Sequence, residues 1–312
     1  MDFIRGLHNL NPVHRGCVAT IGNFDGVHLG HQAVLGQLSE KAAELKLPTT
    51  VILFEPQPQE YFAGEKAPAR LMRLREKLQA MRRYAVDRVL CLYFTQQLAS
   101  MSPADFIQRV LVDGLDIRYL VVGSDFRFGH RRGGDIGTLV RAGEQYAFQV
   151  ATMHTVIIDD ARVSSTRIRQ SLASGDLATA EKLLGRPYHM SGRVVHGDKR
   201  GRTLGVPTAN IYLHRQKSPV HGVYVVEVFG VPGEPCQGVA NVGTRPTVGG
   251  TRTLLEVHIF DFDGSLYGRH VRVDFLYKLR DEELFPSVDI LKDYIQKDIA
   301  QARAYFSRLA GG

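Results

Sequence analysis

Two stretches of this 312-residue chain combine residue types that suit phosphate chemistry. In the first, Gly22-Asn23-Phe24-Asp25-Gly26-Val27-His28-Leu29-Gly30-His31, glycines lead into two histidines spaced three apart. A glycine-rich turn after a strand lets backbone N–H groups approach a phosphate, and the start of the following helix favours negative charge. Gly22 and Asn23 are the candidate phosphate contacts in that turn. His28 and His31 project to one side of a first helical turn. Two imidazoles there can donate hydrogen bonds to a five-coordinate phosphorus transition state. Gly30, between them, removes a Cβ where a nucleotide approaches.

The second stretch is Gly201-Arg202-Thr203-Leu204-Gly205-Val206-Pro207-Thr208-Ala209-Asn210, with Lys199 and Arg200 just ahead of it. A basic, glycine-rich loop of this kind can fold over a nucleotide phosphate, with Gly201 and Arg202 as candidate contacts. Thr208 and Asn210 are two apart, so on a strand their side chains share a face. Neutral oxygens beside nucleotide phosphates suit Mg²⁺, which keeps several waters and takes few protein ligands. Farther on, Glu256 alternates with Leu255 and Val257 and so points away from the apolar face. It reads either as part of a solvated strand face or as a carboxylate base for an alcohol nucleophile.

The elements that must position these residues change character along the chain. Strand-like runs at Val18–Ile21, Thr50–Phe54, Val89–Phe94, Tyr119–Gly123 and Phe148–Met153 alternate with helical stripes. One stripe is Val34, Leu35, Leu38, Ala42 and Leu45; another is Leu71, Leu74, Leu78 and Met81. This alternation predicts an α/β domain, a mostly parallel sheet covered by helices on both faces. Ser100–Asp105 and Gly133-Gly134-Asp135 read as helix starts. After about residue 185 short alternating runs take over, at Gly192–Val195, Val223–Phe229, Gly238–Val242, Leu254–Phe260 and His270–Tyr277. They predict a small antiparallel barrel or sandwich. Asp263-Gly264 signals a hairpin, and Gly238–Thr247 reads as tight-turn structure. Ser287 caps a closing helix striped by Val288, Leu291, Ile295, Ile299 and Phe306. The expected domains are 1–185 and 186–312.

Composition excludes other classes. Lys and Arg number 39 against 32 Asp and Glu, a net charge of +7, which suits an anionic partner without choosing one. No apolar run is long enough to span a membrane, and the opening MDFIRGLHNLNPVHRG has no signal-peptide core. Cys17, Cys91 and Cys236 are too far apart for a metal motif and read as buried apolar residues of a cytoplasmic protein. The basic residues near 199–202 lack interleaved aromatics, which disfavours nucleic acid.

HxGH after the first strand resembles the nucleotidyltransferase superfamily, with its Rossmann-like fold. The longer string GNFDGVHLGH resembles the FMN adenylyltransferase module of bacterial bifunctional riboflavin kinase/FAD synthetases. Val121–Gly129 is similar to that family's strand-end motif, which implies that Gly123 and Asp125 lie near adenosine. Ser164-Ser165-Thr166-Arg167-Ile168-Arg169 resembles the second signature, implying that Ser164, Thr166 and Arg169 hold the triphosphate. Hydroxyls at a helix start and a bidentate guanidinium suit that task. GRTLGVPTANI and LLEVHIFDFDGSLYG resemble the riboflavin kinase module, implying that Glu256 is its catalytic base. Leu279–Phe285 resembles its flavin-contacting segment, through Arg280, Glu282 and Phe285. Gln57 departs from the family at a position where His is common, and Leu284 departs where Lys is common. The resemblance implies ATP, riboflavin, FMN and FAD as substrates and products, Mg²⁺ as cofactor, and neither nucleic acid nor membrane as partner. A homo-oligomer is compatible with it. The alternative is an HxGH adenylyltransferase for another phosphate ester, with the barrel as a regulatory module.

Overall fold

The computed structural model describes residues 1–153, 155–196, 205–215, 217–247 and 250–310, without the side chains of 245–247 and 250–252. The candidates Gly201 and Arg202 lie outside these residues, as do Lys199 and Arg200. Contacts divide the chain into two units: Met1–Pro68 with Met72–Ser165, and Ala69–Leu71 with Thr166–Gly312.

In the first unit β1 (Asp2–Arg5), β2 (Cys17–Ile21), β3 (Thr49–Glu55), β4 (Arg88–Tyr93), β5 (Ile117–Gly123) and β6 (Gln149–Met153) form one sheet in the order β1-β4-β3-β2-β5-β6. Every pairing is parallel. Successive side chains enter opposite cores, as a sheet covered on both faces requires. Cys17, Ala19 and Ile21 of β2 pack with Ile107, Leu111 and Leu139. Val18 packs on the other face with Val34, Leu35 and Leu38 of α1 (Leu29–Leu45). The other helices of this unit are α2 (Pro58–Ala63), α3 (Leu74–Met81), α4 (Gln96–Ala99), α5 (Pro103–Phe106) and α6 (Ile136–Tyr146). Both expected helix starts hold. Ser102 Oγ accepts the Asp105 amide, and Asp135 Oδ1 accepts the Thr138 amide at 2.9 Å. Leu71, placed in the second helical stripe, instead precedes α3 and packs in the other unit. Two small features gave no alternation to read. These are β1, with only Ile4 buried, and the hairpin of β7 (Ile157–Ile158) and β8 (Ala161–Arg162).

The second unit begins with α7 (Ser165–Ser174, its first residue belonging to the first unit) and α8 (Leu177–Leu184). Then β9 (Tyr188–Val195), β10 (Ala209–Tyr212), β11 (Gly222–Phe229), β12 (Cys236–Thr247), β13 (Gly250–Ile259) and β14 (His270–Arg280) close into a barrel ordered β10-β13-β12-β11-β14-β9. All its pairings are antiparallel. Tyr224, Ala240, Val242, Leu255 and Val257 are buried, filling the inside. Val223, Val225 and Val239 face outward and are covered by Ala302 and Phe306 of α9 (Val288–Ala310). As expected, Ser287 caps this helix, its Oγ accepting the Ile290 amide.

Two expectations fail. Asp263-Gly264 joins β13 to β14, which are not neighbours: β13 pairs with β10 and β12, β14 with β11 and β9. It is a turn between non-adjacent strands, not a hairpin, because a local turn does not dictate the pairing partner. Gly238–Thr247 is not a tight turn but lies within the single 12-residue strand β12.

Close strand packing at Gly192 gives a stability test. A Cβ there would lie 2.5 Å from the Tyr212 carbonyl oxygen and 2.7 Å from Ile211 Cγ2. Gly192→Ala is expected to destabilise the barrel by about 1–3 kcal/mol, read as a lowered Tm in thermal unfolding.

Candidate active sites

In the parallel sheet, the chain passes outward from β2 to β3 and β4, then returns to β5 on the other side of β2. Such a reversal opens a crevice at the carboxyl ends of the strands. The loop Gly22–His28 leaves β2 at this point. Its backbone is strained: Phe24 and Val27 are left-handed, with φ of 47° and 42°, and both are buried. A β-branched residue rarely takes that conformation, so the surroundings must impose it. The buried ammonium of Lys77, on α3, donates to the Asn23 carbonyl at 2.6 Å. Asp25 Oδ1 accepts the Met72 amide at 3.0 Å, and the Asp25 carbonyl accepts Ser165 Oγ at 2.8 Å.

His28 caps α1, its Nδ1 accepting the His31 amide at 3.3 Å. When neutral it therefore carries its proton on Nε2. The His28 and His31 rings stack with centroids 3.6 Å apart. Burial first, then the nearby charges of His28, Lys77 and Arg162, hold His31 well below the usual imidazole range. His31 thus stands as a neutral imidazole at neutral pH. A Cβ at Gly30 would come within 3.2 Å of the His28 ring and 3.8 Å of the Val163 carbonyl.

The second signature begins beside this loop. Ser164 is half-buried, next to the Ser165 that bonds Asp25. Thr166 is exposed, and Arg169 donates from Nε to the Ala69 carbonyl at 2.6 Å; both belong to the second unit. A cavity of about 700 Å³ is lined by Gly22, Asn23, Phe54, Phe94 and Asp125–Gly129. Gly123 closes the turn before it, its carbonyl accepting the Phe126 amide. Asp125 forms a bidentate pair with Arg162 of β8, at 2.7 and 2.8 Å, which holds its carboxyl below the usual range. Gln57 is buried as the cap of α2, its amide donating to Glu60 at 2.8 Å.

On the barrel, register builds the site. Asn210 pairs with Glu256, Glu256 with Asn241, Asn241 with Val223, and Val223 with Arg280. Directly paired residues share a face, so five strands lay one row of side chains along the outer wall. A cavity of about 570 Å³ stands over it. Thr208, Glu256, Arg280, Glu282 and Phe285 all line this cavity; Asn210 is buried beside Glu256 in the row. Hydroxyl, amide and carboxylate oxygens are hard donors of the kind Mg²⁺ takes. Among the described residues no three His, Cys, Asp or Glu cluster to hold a metal alone, so such an ion would lean on phosphate and water. Arg280 is not a free cation. Its guanidinium is bidentate to buried Asp298 of α9, at 2.8–3.2 Å, and lies 5.4 Å over the Phe285 ring.

Sequence reading missed four residues around these sites: Lys77, Arg162, Asn241 and Asp298. For two the signal was present. Lys77 shares a helix face with Leu74, Leu78 and Met81, and Asp298 shares one with Leu291, Ile295 and Ala302. A charged residue inside an apolar stripe has to find a buried partner. Arg162 sits in a hairpin too short to recognise, and Asn241 in the run Gly238–Val242, read as a strand but with its wider motif taken as turn structure and not as a site.

An HxGH loop at the switch point of a parallel sheet, followed by a barrel with a carboxylate-bearing cavity, defines a two-unit ATP-dependent transferase. The family model for FAD synthetase matches residues 10–167, and that for riboflavin kinase matches residues 184–306. A bifunctional riboflavin kinase/FMN adenylyltransferase of Haemophilus influenzae is 51% identical over 98% of this chain and 100% of its own length. One from Escherichia coli is 52% identical over 98% of each chain. A solved structure described as a macrolide-efflux protein from Streptococcus pneumoniae aligns with TM-score 0.80 at 32% identity, covering 96% of this chain and 97% of the other. The chain belongs to the bifunctional riboflavin kinase/FMN adenylyltransferase family, and the single-activity alternative is not favoured.

The depressed His31 basicity has a sign. The unfolded chain protonates this residue near the ordinary value of about 6.5, the folded chain only at lower pH. Between the two the unfolded state holds more protons, so stability falls as pH falls. Thermal unfolding from about pH 7.5 to 5.5 should show a steeper loss of Tm in the unmodified protein than in His31→Gln. Parallel slopes would mean that folding leaves the His31 imidazole unperturbed.

Proposed function

We propose that the two cavities divide the two activities. The barrel unit phosphorylates riboflavin with ATP, giving FMN and ADP. The parallel-sheet unit adenylylates FMN with a second ATP, giving FAD and pyrophosphate. The observation that carries this reading is the row in which Asn210 and Asn241 flank Glu256 along a cavity sized for a small ligand.

In the kinase step Glu256 takes the proton of the riboflavin 5′-hydroxyl as its oxygen attacks the γ-phosphorus of ATP. Thr208 and Asn210 would hold Mg²⁺, which when bound would neutralise phosphate charge. Gly201 and Arg202, outside the described residues, are assigned to the same phosphates. Arg280, Glu282 and Phe285 hold the flavin, with Arg280 fixed as a flat wall by Asp298.

In the adenylyl step an FMN phosphate oxygen attacks the α-phosphorus and pyrophosphate leaves. No base is needed, since a phosphate monoester is already ionised at neutral pH. His28 and His31 donate to the phosphates as they pass through the transition state. Gly22, Asn23, Gly30, Ser164, Thr166 and Arg169 hold the triphosphate, and Gly123 and Asp125 border the adenosine. Phe54, Phe62, Phe94 and Phe128 line the 700 Å³ cavity and suit the isoalloxazine ring, while Arg131 and Arg132 suit the FMN phosphate.

We place the module boundary at 185/186, with α7 and α8 as the connection, and the enzyme in the cytoplasm, where its free cysteines suit the redox conditions. No helix among the described residues is long and apolar enough to cross a membrane.

The test is incubation with riboflavin, ATP and Mg²⁺, with products separated by chromatography; formation of neither FMN nor FAD overturns the reading. Glu256→Gln should lower FMN formation by about 10²–10⁴-fold and leave the conversion of FMN to FAD intact. His28→Ala combined with His31→Ala should do the reverse. Equal loss of both activities in either variant would refute the division between sites.

A further inference from the structure

We infer that Asn241 positions riboflavin in the kinase site, its side-chain carbonyl accepting a hydrogen bond from a secondary hydroxyl of the ribityl chain. The inference rests on the kinase reading of the barrel cavity and adds a residue to it.

Asn241 is the direct cross-strand partner of Glu256 and lines the same cavity. Side chains paired in this way start about 4.5–5.5 Å apart. A ribityl chain whose 5′-oxygen meets Glu256 carries further hydroxyls over just that span, so one of them falls beside Asn241.

The orientation of the amide is set by chemistry. Asn241 Nδ2 donates to Glu282 Oε1 at 3.3 Å. A carboxylate only accepts, so the nitrogen must face Glu282, independently of how oxygen and nitrogen were distinguished. Glu282 is itself seated by the strand. Gly243 lies two residues farther along the same face of β12, and a Cβ there would collide with the Glu282 carboxyl. With the nitrogen committed, the carbonyl of Asn241 is what remains. Its Oδ1 is buried and has no hydrogen-bond partner among the described residues. A buried acceptor left unmade is costly. The ribityl chain brings a series of O–H donors into this cavity, whereas the dimethylbenzene edge of the flavin ring brings none.

The test uses the full chain and follows the disappearance of riboflavin, counted as FMN plus FAD formed, which reads the kinase step. Lumiflavin, which has the flavin ring and a methyl group in place of the ribityl chain, serves as competitive inhibitor. Asn241→Ala should lower kcat/KM for riboflavin about tenfold, leaving the KM for ATP and the lumiflavin Ki unchanged. Asn241→Ser, which restores an acceptor oxygen, should recover part of the loss. FMN adenylylation by the same variants reports that the chain is folded. A parallel rise in the lumiflavin Ki would place the effect on the ring or on the Glu282 segment and overturn the proposal. So would an unchanged kcat/KM, or an equal loss in Asn241→Ser and Asn241→Ala. If the unmodified protein forms no FMN, the kinase reading itself fails, which is a separate outcome.

Discussion

Packing closes both faces of the parallel sheet and the inside of the barrel to chemistry, and that constraint decides where each site can be. The parallel sheet is packed on both faces, so only the carboxyl ends of its strands are open. The six-stranded barrel is filled with its own side chains, so the amides and carboxylate of its site stand on the outer wall. That wall is apolar at Val223, Val225 and Val239, where α9 rests on it. It turns polar at Asn241, Glu256 and His258, where α9 and the segment before it leave a cavity. One alternating pattern therefore makes the helix seat and the reaction site on neighbouring stretches of the same strands.

The two sites differ as their reactions require. An alcohol is a poor nucleophile at neutral pH and calls for a carboxylate; the proposed base, Glu256, stands in the barrel between two asparagines. A phosphate monoester calls for no base, only for donors aimed at the phosphorus being attacked. The loop at β2 carries two stacked, buried imidazoles suited to that task, and burial holds that of His31 neutral near neutrality. Their placement depends on left-handed Phe24 and Val27, a backbone held by Lys77, Met72 and Ser165.

Much of this was legible in the sequence. The alternation of strands and helices revealed five of the six strands of the parallel sheet, most clearly the inner ones, β2 to β5, which both-face burial makes into apolar runs. Glu256 could be placed off the apolar face from its neighbours Leu255 and Val257 alone. What could not be read was pairing. Nothing local tells that Asp263-Gly264 separates non-adjacent strands, or that residues as far apart as Asn210 and Arg280 fall in one row. Nor could contacts assign Ala69–Leu71 to the barrel unit in advance. Their carbonyls are gripped by Arg169, Tyr188 and Arg215, residues about a hundred or more positions away. Strand register and buried donors are long-range facts, and composition carries no trace of them.

The net charge of +7 is explained in the same terms. Several of its cations are spent on the fold rather than offered to a ligand. Lys77 serves the Asn23 carbonyl, Arg215 those of Arg70 and Leu71, Arg280 the carboxylate of Asp298, and Arg162 that of Asp125. At the rim of the first cavity the case is different. Arg131 and Arg132 are exposed, and their side chains stand on consecutive left-handed residues, with φ of 51° and 58°. That conformation costs about 1–2 kcal/mol per residue when a Cβ is present. Glycine, which stands on either side of this short turn at Gly129 and Gly133, would avoid it. Strain retained at two arginines beside a cavity assigned to FMN fits a need for cations there. Glycine would relieve the backbone and remove the charge proposed to meet the FMN phosphate.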